Sequence, residues 1–406
     1  MKTDTKILDV RKDVKWIGVL DYDIETFDVV MKTEYGTTYN SYFINAEKKA
    51  IVETTKEKFW NTWYEKIKQV VDPAEIEYII LNHTEPDHSG NVKKLLEIAP
   101  KATIVGSGNA IRYLKDLVGG DFPHMIVKEG HTLDLGNKTL RFISAPNLHW
   151  PDSIYTYLEE DRLLFTCDSF GAHYCDERMF DDLVDKEQYE DAFRYYFNVI
   201  LRPFSKFMIK AIDKIHGLDI DAICTGHGPI LRSNWQRYVD LSEKWAAEYL
   251  KMAEGQFVYI PYVSAYQKTG MLAEAIATGI RKAGKVEVEV SDIEHAPLGE
   301  LESKLTRCSG LIVGSPVINQ NILLPVYKLF ALITPLRDKG KLAGGFGSYG
   351  WSGENQNLIK EGLSNLKLNY LNDGVFVKFT PDEDELAKAE EYGMAFGKEL
   401  LKKADS

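Results

Sequence analysis

The chain has 406 residues, room for two or three domains at roughly 150 residues each, every one large enough for its own core. Hydrophobic residues at 44%, charged residues at 27% and aromatics at 12% are globular values that exclude disordered, fibrous and collagenous classes. Forty-nine basic against 61 acidic side chains leave a net charge of −12, a field that repels polyanions and argues against a nucleic-acid partner.

From Trp16 to about Thr225, short β-branched and aromatic runs alternate with turns and helical stretches. The pattern predicts strands over 38–46, 77–82, 102–106, 139–146, 154–158, 162–168 and 221–226, and helices over 56–70, 89–98, 109–117 and 187–215. This reads as α/β with more strands than helices, two sheets packed between helices being one arrangement that fits. An amphipathic stretch over 233–254 leads to Gly255, where we place a domain boundary, giving domains 1–254 and 255–406. Beyond it the rhythm becomes regular: strands over 257–263, 286–292, 310–315, 341–348 and 374–379 alternate with helices. Five strands in about 150 residues is the size of a doubly wound, flavodoxin-like parallel sheet, whose ligands sit at the carboxyl ends of the strands.

The four cysteines, Cys167, Cys175, Cys224 and Cys308, form no CxxC pair. That speaks against a zinc ribbon, a rubredoxin module or an iron–sulfur cluster, so a metal must use histidine and carboxylates. The opening MKTDTKILDVRKDVKW has no apolar leader and no run approaches 18 apolar residues, so the expectation is a soluble cytoplasmic protein with reduced thiols and no membrane partner.

After the strand ending at Asn82 comes His83-Thr-Glu85-Pro-Asp87-His88, four metal-capable side chains within six residues. Three later residues repeat the same placement at strand ends: His149, Asp168 and His227. A lone histidine there is ordinarily a structural hydrogen-bonder, and the bland alternative for the motif is a polar turn capping a helix at Ser89. Together they project from one sheet edge and read as a metal site.

This set resembles the metallo-β-lactamase-like superfamily, and more narrowly the flavodiiron proteins. Hydrolases of the superfamily carry HxHxDH, whereas Glu85 holds the second position here. Three carboxylates, Glu85, Asp87 and Asp168, set against two divalent ions leave a charge that one bridging hydroxide neutralises, so further oxidation costs less. A hard anionic oxygen in place of an imidazole favours ferric over ferrous iron, which suits electron donation to a small oxidant; a di-zinc hydrolase needs a water-activating Lewis acid instead.

The resemblance implies one iron on His83, Glu85 and His149, a second on Asp87, His88 and His227, and Asp168 bridging them. In some members the residue matching His88 turns away and solvent replaces it. Tyr195 and Tyr196 match a family segment that supplies a phenol near the irons. Adjacent helical positions point about 100° apart, so only one of them reaches. The family often shows DWxxxxFHG near its metals; this chain has Asp21 and Phe27 but Tyr22, Asp28 and Val29 at the other places. Asp28 is therefore either a substitute for a histidine that tunes substrate choice or a solvated loop residue.

In the second domain, Ser264-Ala-Tyr266-Gln-Lys268-Thr269 follows the first strand and opens a helix, the place where a doubly wound fold holds a phosphate. Gln267 stands where flavodoxin loops typically carry glycine. Gly314-Ser315-Pro316-Val317-Ile318-Asn319 and Gly347-Ser348-Tyr349-Gly350-Trp351-Ser352-Gly353 follow the third and fourth strands and resemble flavodiiron loops around FMN. Tyr266 and Trp351 are placed to stack on the isoalloxazine, or else to cover core.

The resemblance runs from about Trp16 to the C-terminal helix. It implies an α/β protein with an N-terminal metallo-β-lactamase-like αββα sandwich and a flavodoxin-like domain, carrying two non-haem irons and FMN. The implied activity is an oxidoreductase that reduces dioxygen to water or nitric oxide to nitrous oxide. Its electrons come from a separate donor: a rubredoxin-type protein, a flavin reductase or a reduced deazaflavin. A head-to-tail homodimer is implied as well. The alternatives are a di-zinc hydrolase with an accessory flavodoxin-like domain, and an electron-transfer flavoprotein whose first domain is structural.

Overall fold

Short apolar runs separated by tight turns pair into two large sheets and two small two-stranded ones in the first of two units, Met1–Ala247 and Glu248–Ser406. The computed structural model describes residues 4–28, 31–253 and 256–404; Glu254, Gly255 and Val29, singled out in the sequence, lie outside them.

The first sheet follows the order Leu8–Arg11, Val14–Trp16, Tyr42–Ile44, Lys49–Val52, Ile76–Ile80, Thr103–Gly106, His124–Ile126. Its first four strands are antiparallel and the rest parallel. The switch follows from connection length, because helical crossovers begin only after Val52. The second sheet orders Thr132–Asp134, Thr139–Ser144, Ile154–Leu158, Leu163–Cys167 and Ala222–Thr225, antiparallel except for its last pair.

Alternation along these strands builds three apolar layers. Trp16, Tyr42, Val52, Ile80 and Val105 meet Leu140, Phe142, Leu158, Phe165 and Cys224 between the sheets. Ile51, Ile79 and Ile104 face outward onto Trp63, Ile67, Leu95 and Leu114 of the helices covering the first sheet. Ile143, Tyr155, Leu164 and Ile223 face outward onto Tyr189, Phe193, Met208 and Ile212. The result is the αββα sandwich, and each fully buried Leu, Ile or Phe contributes about 1.5–3 kcal/mol.

This topology decides where the site lies. Thr139–Ser144, Leu163–Cys167 and Ala222–Thr225 run in one direction, so their carboxyl ends share an edge. Ile154–Leu158 runs the other way and begins at that edge. There the Ile154 N–H donates to the Asn82 carbonyl at 2.9 Å, tying the second sheet to the loop that leaves the first.

Two predicted elements differ. The helix expected over 187–215 is interrupted: Lys186–Tyr196 is α-helical, Phe197–Leu201 is a π turn, Arg202–Phe204 a 3-10 turn, and Ser205–Ile215 α-helical again. Pro203 has no N–H to give and its ring crowds the preceding turn, while π turns concentrate at functional sites. The strand expected over 38–46 is two, Thr37–Tyr39 on Val19–Asp21 and Tyr42–Ile44 in the first sheet, with Asn40 at the crossing between them.

In the second unit every strand pairing is parallel. The order is Glu287–Asp292, Phe257–Tyr262, Gly310–Gly314, Leu342–Tyr349, with Asn369–Tyr370 and Val375–Lys378 both on Leu342–Tyr349. Along Phe257–Tyr262, Phe257 and Tyr259 enter one core layer and Val258 and Ile260 the other, as a sheet covered on both faces requires. The expected fifth strand over 374–379 is Val375–Lys378, and Asn369–Tyr370 is a further short strand that the pattern did not predict. They are separated by a turn that places Asn372 at φ 54° and Gly374 at φ 76°, the left-handed region that breaks a strand. Among the described residues no helix is long and apolar enough to cross a membrane.

Candidate metal centre and flavin cavity

Pro86 opens a single helical turn, Pro86–Ser89, immediately after extended residues. His83 and Glu85 therefore precede the turn, Asp87 and His88 lie within it, and the two halves of the motif face different places. His83, Glu85, His149 and Asp168 bring ligand atoms within 4.8 Å of one another, and so, separately, do Asp87, His88 and His227. Asp168 joins the two groups through different oxygens. Its Oδ2 is 3.2 Å from His149 Nε2 and 3.6 Å from His83 Nε2, whereas its Oδ1 is 3.0 Å from His88 Nε2 and 3.5 Å from His227 Nε2. Glu85 Oε2 is 3.0 Å from His149 Nε2, and Asp87 Oδ2 is 3.1 Å from His227 Nε2. Nitrogen and oxygen ligands each about 2.1 Å from a shared ion stand about 3–3.5 Å apart, so these separations fit two ions side by side.

Electrostatics give the same answer. Both oxygens of Asp87, a residue 4% exposed, are buried without a hydrogen-bond donor. An uncompensated buried carboxylate is costly, and a cation would compensate it. Burial opposes charge on the His88 ring, yet Asp87 and Asp168 push its pKa up to about 10; His149, likewise against burial, is raised to about 9 by Asp168 and Glu85. Despite burial, His88 and His149 hold the Asp168 carboxyl well below the usual carboxylate range. The cluster is short of positive charge, and protons supply it where a metal ion does not.

Behind these side chains stand residues that orient them. Asp152 Oδ2 accepts from the Thr84 N–H and hydroxyl, both at 2.7 Å, and is 3.3 Å from His83 Nδ1. His227 Nδ1 lies 2.5 Å from the Thr38 carbonyl, which fixes Nε2 toward Asp87. Asn40 is fully engaged: its Oδ1 accepts from Trp16 Nε1 and Thr38 Oγ1, and its Nδ2 donates to the carbonyls of Thr225 and Gly228. Asp152 was legible in principle, since it precedes a strand that starts at the ligand edge. Thr38 and Asn40 carry no motif.

Of the paired tyrosines, Tyr196 is buried against His173, ring centroids 4.8 Å apart, and 6.2 Å from His227. Tyr195 is 39% exposed and lines a surface cavity of about 110 Å³ with Tyr35, His173 and Asp191. His173, absent from the sequence reading, bonds the Thr37 hydroxyl at 2.9 Å, and burial with the neighbouring His227 charge holds it neutral, well below its ordinary pKa. Asp28 adopts a left-handed conformation at φ 46° and lies within the electrostatic reach of Glu85 and Asp87. Burial first, then the Glu85 and Asp87 charges, raise its pKa, so Asp28 is no bystander.

In the second unit a cavity of about 300 Å³ opens at the carboxyl ends of the strands. Tyr266, Lys268, Thr269, Pro316, Val317, Ser348, Tyr349 and Gly350 line it as the sequence suggested, together with Ala265, Ile318, Phe379 and Thr380. Phe379 and Thr380 follow the last strand, so the strand-end rule alone would have found them. Gln267 sits at φ 61°, the conformation glycine adopts freely, and the helix Lys268–Ala283 starts directly after it. Ser264 Oγ is buried without a partner at this helix start, an orphaned donor that fits a phosphate.

Ser264, Ser315, Asn319, Trp351 and Gly353 are not part of the lining. Ser315 is structural: its carbonyl accepts from Asn355 Nδ2 at 2.8 Å and its hydroxyl from the Leu323 N–H at 3.2 Å. Trp351 is 78% exposed. Gly347 is needed for close approach, since a Cβ there would lie 2.1 Å from the Ser315 carbonyl.

Residues 37–228 match the ODP family beta lactamase model and residues 260–393 the flavodoxin model. The flavo-diiron protein FprA2 of Clostridium acetobutylicum is 39% identical over 96% of this chain and 99% of its own length. The anaerobic nitric oxide reductase flavorubredoxin of Escherichia coli O1:K1 is 36% identical over 95% of this chain and 80% of its own. Among solved structures, rubredoxin oxygen:oxidoreductase from Desulfovibrio gigas superposes with a TM-score of 0.71 at 28% identity, covering 99% of this chain and 100% of that one. The flavodiiron protein of Giardia intestinalis gives 0.70 at 28% identity, covering 100% and 99%.

Proposed function

The chain belongs to the flavodiiron protein family, and from that premise we propose that it holds one iron on His83, Glu85 and His149 and a second on Asp87, His88 and His227, bridged by Asp168, with FMN in the cavity of its second unit. It is an oxidoreductase that passes electrons from an external donor through FMN to a diiron site reducing dioxygen to water or nitric oxide to nitrous oxide. The observation that carries the site assignment is the division of the Asp168 oxygens between two separate ligand groups.

FMN supplies stepwise electron transfer and the irons supply binding and reduction of a diatomic oxidant. The chain's own residues manage geometry and protons. Asp152, Thr84 and Thr38 fix the ligand rings before any ion arrives, so little reorganisation is needed on binding. Both reductions consume protons. Burial keeps the Tyr196 phenol protonated, its pKa well above the usual tyrosine value, so it holds a proton beside His227. The Glu85 and Asp87 charges, after burial, raise the Asp28 carboxyl pKa, so a proton is held more tightly there than on an isolated aspartate. Phe27 and Tyr39 pack edge-on against the His227 ring and exclude water on that side.

For the donor we propose a separate rubredoxin-type protein, with a flavin reductase or reduced deazaflavin serving the same role, and for the assembly a head-to-tail homodimer. The Desulfovibrio gigas enzyme carries rubredoxin in its name as reductant. Iron, zinc and FMN stoichiometry on anaerobically purified protein tests the reading, followed by consumption of dioxygen and nitric oxide with chemically reduced flavin. About two irons and one FMN per chain with turnover is the expected result. Two zincs and no gas consumption after iron reconstitution would replace it with the hydrolase.

A further inference from the structure

We propose that Glu53 is a positioning residue for His88, accepting the Nδ1 proton of the imidazole so that Nε2 stays directed at Asp87 and Asp168. The inference rests on the reading of His88 as a metal ligand. Glu53 lies outside every motif in the sequence reading, at the end of the strand Lys49–Val52, and is 2% exposed.

Three observations carry it. Glu53, His88 and Cys167 each bring a ligand-type atom within 4.8 Å of the others, all three buried. Glu53 Oε2 and His88 Nδ1 are both buried without a hydrogen-bond partner, while Glu53 Oε1 already accepts from the Asn82 N–H at 2.8 Å. The backbone is arranged for the contact as well: Glu53 adopts φ 59°, a left-handed conformation that costs a non-glycine residue about 1–3 kcal/mol and persists only where its surroundings enforce it. Its own N–H and carbonyl are held by the Ile80 carbonyl at 2.9 Å and the Ser41 hydroxyl at 2.7 Å. The next residue, Thr54, grips the His88 carbonyl twice, from its N–H at 2.8 Å and its hydroxyl at 2.7 Å. Two consecutive residues thus address His88, one at its backbone and one at its ring.

The chemistry follows from tautomers. A neutral imidazole that ligates through Nε2 carries its proton on Nδ1, and that N–H needs an acceptor. A carboxyl oxygen is a far better acceptor than the Cys167 sulfur. A third metal ion on the same three residues would require the His88 ring to ligate through both nitrogens, a deprotonation that the hydrogen bond avoids.

Glu53→Gln isolates this role because an amide offers one acceptor where two N–H donors wait, so either Asn82 or His88 must face an NH2 group. Full-length, FMN-loaded, metal-stripped protein is titrated anaerobically with Co(II), read by its visible absorption, as wild type, Glu53→Gln, His88→Asn and the double variant. Glu53→Gln is expected to weaken the second ion by about 10–100-fold and leave the first within about twofold. His88→Asn alone should weaken the same ion, and Glu53→Gln should add nothing in its background. Wild-type affinity in Glu53→Gln, equal weakening of both ions, or an additive loss in the double variant overturns the proposal while the ligand reading of His88 stands. Unchanged affinity in His88→Asn overturns both. If Glu53→Gln does not fold, a crystal structure of the metal-loaded wild type decides: Nδ1 within hydrogen-bond distance of Glu53 Oε2 supports the proposal, and a ring turned away from Glu53 ends it.

Discussion

Asp152 stands directly behind His83, its Oδ2 3.3 Å from the ring Nδ1 and held in place by two 2.7 Å hydrogen bonds from Thr84. The pair sets which nitrogen of His83 faces the cluster. Asp152→Ala should therefore lower affinity for the first ion by about 10–100-fold with flavin content unchanged. Metal titration of the variant checks this, and wild-type affinity would show that His83 needs no such support.

Asp168 is the one carboxylate shared by both ligand groups. Asp168→Asn removes the charge that serves both ions, so turnover should vanish and both metals should be lost, with FMN retained. Gas consumption and metal content measured on the same sample test it; an active variant would mean the ions do not depend on a shared carboxylate.

Burial alone would depress the His88 and His149 pKa values, but the surrounding carboxylates raise them to about 10 and about 9. A group with a raised folded pKa contributes stability that is complete below its unfolded value, about 6.5 for histidine, and disappears as pH climbs through the folded value. Metal-stripped protein should lose thermal stability between about pH 7 and pH 10. Metal-loaded protein, whose rings are neutral ligands, should lack that loss. Parallel melting curves across the range decide it, identical pH dependence being the contrary result.

Asn40 has all of its hydrogen-bonding atoms engaged, linking Trp16 and Thr38 to the carbonyls of Thr225 and Gly228 beside His227. Asn40→Ala leaves several buried groups unsatisfied and should destabilise the first unit by on the order of 3 kcal/mol. Denaturant melts give the number. A change under about 0.5 kcal/mol would place the network outside the folding core.

Ser264 carries an unpartnered buried hydroxyl at the start of the helix Lys268–Ala283. A hydrogen bond to a charged group is worth about 1.5–3 kcal/mol, so Ser264→Ala should weaken FMN by about tenfold or more without affecting metal content. Fluorescence titration of flavin-free protein measures it, and unaltered affinity would show that the phosphate does not reach Ser264.

Much of this protein was decided locally. Alternating apolar runs define the strands, and a sheet covered on both faces reads as the near-continuous run Phe257–Tyr262. The spacing His83, Glu85, Asp87, His88 and the strand-end positions of His149, Asp168 and His227 name the cluster without coordinates, because a residue just past a strand has only one edge to occupy. The glycine-rich loops after the third and fourth strands of the second unit mark the flavin cavity for the same reason.

Tertiary structure alone decided the rest. Whether Tyr195 or Tyr196 faces the cluster depends on how the helix Lys186–Tyr196 rotates against the second sheet, which no pair of adjacent tyrosines reveals. Asp152, Glu53, Thr38 and His173 come from separate elements and meet the ligands only because antiparallel and parallel strands bring different ends to one edge. Trp351, offered by its loop as a flavin platform or as cover for core, is exposed, and only where the chain turns after Tyr349 decides that it does not cover core. Ligands are written in sequence by residue type, but the groups that aim them act through geometry, and almost any carboxylate, carbonyl or hydroxyl at the right place will serve.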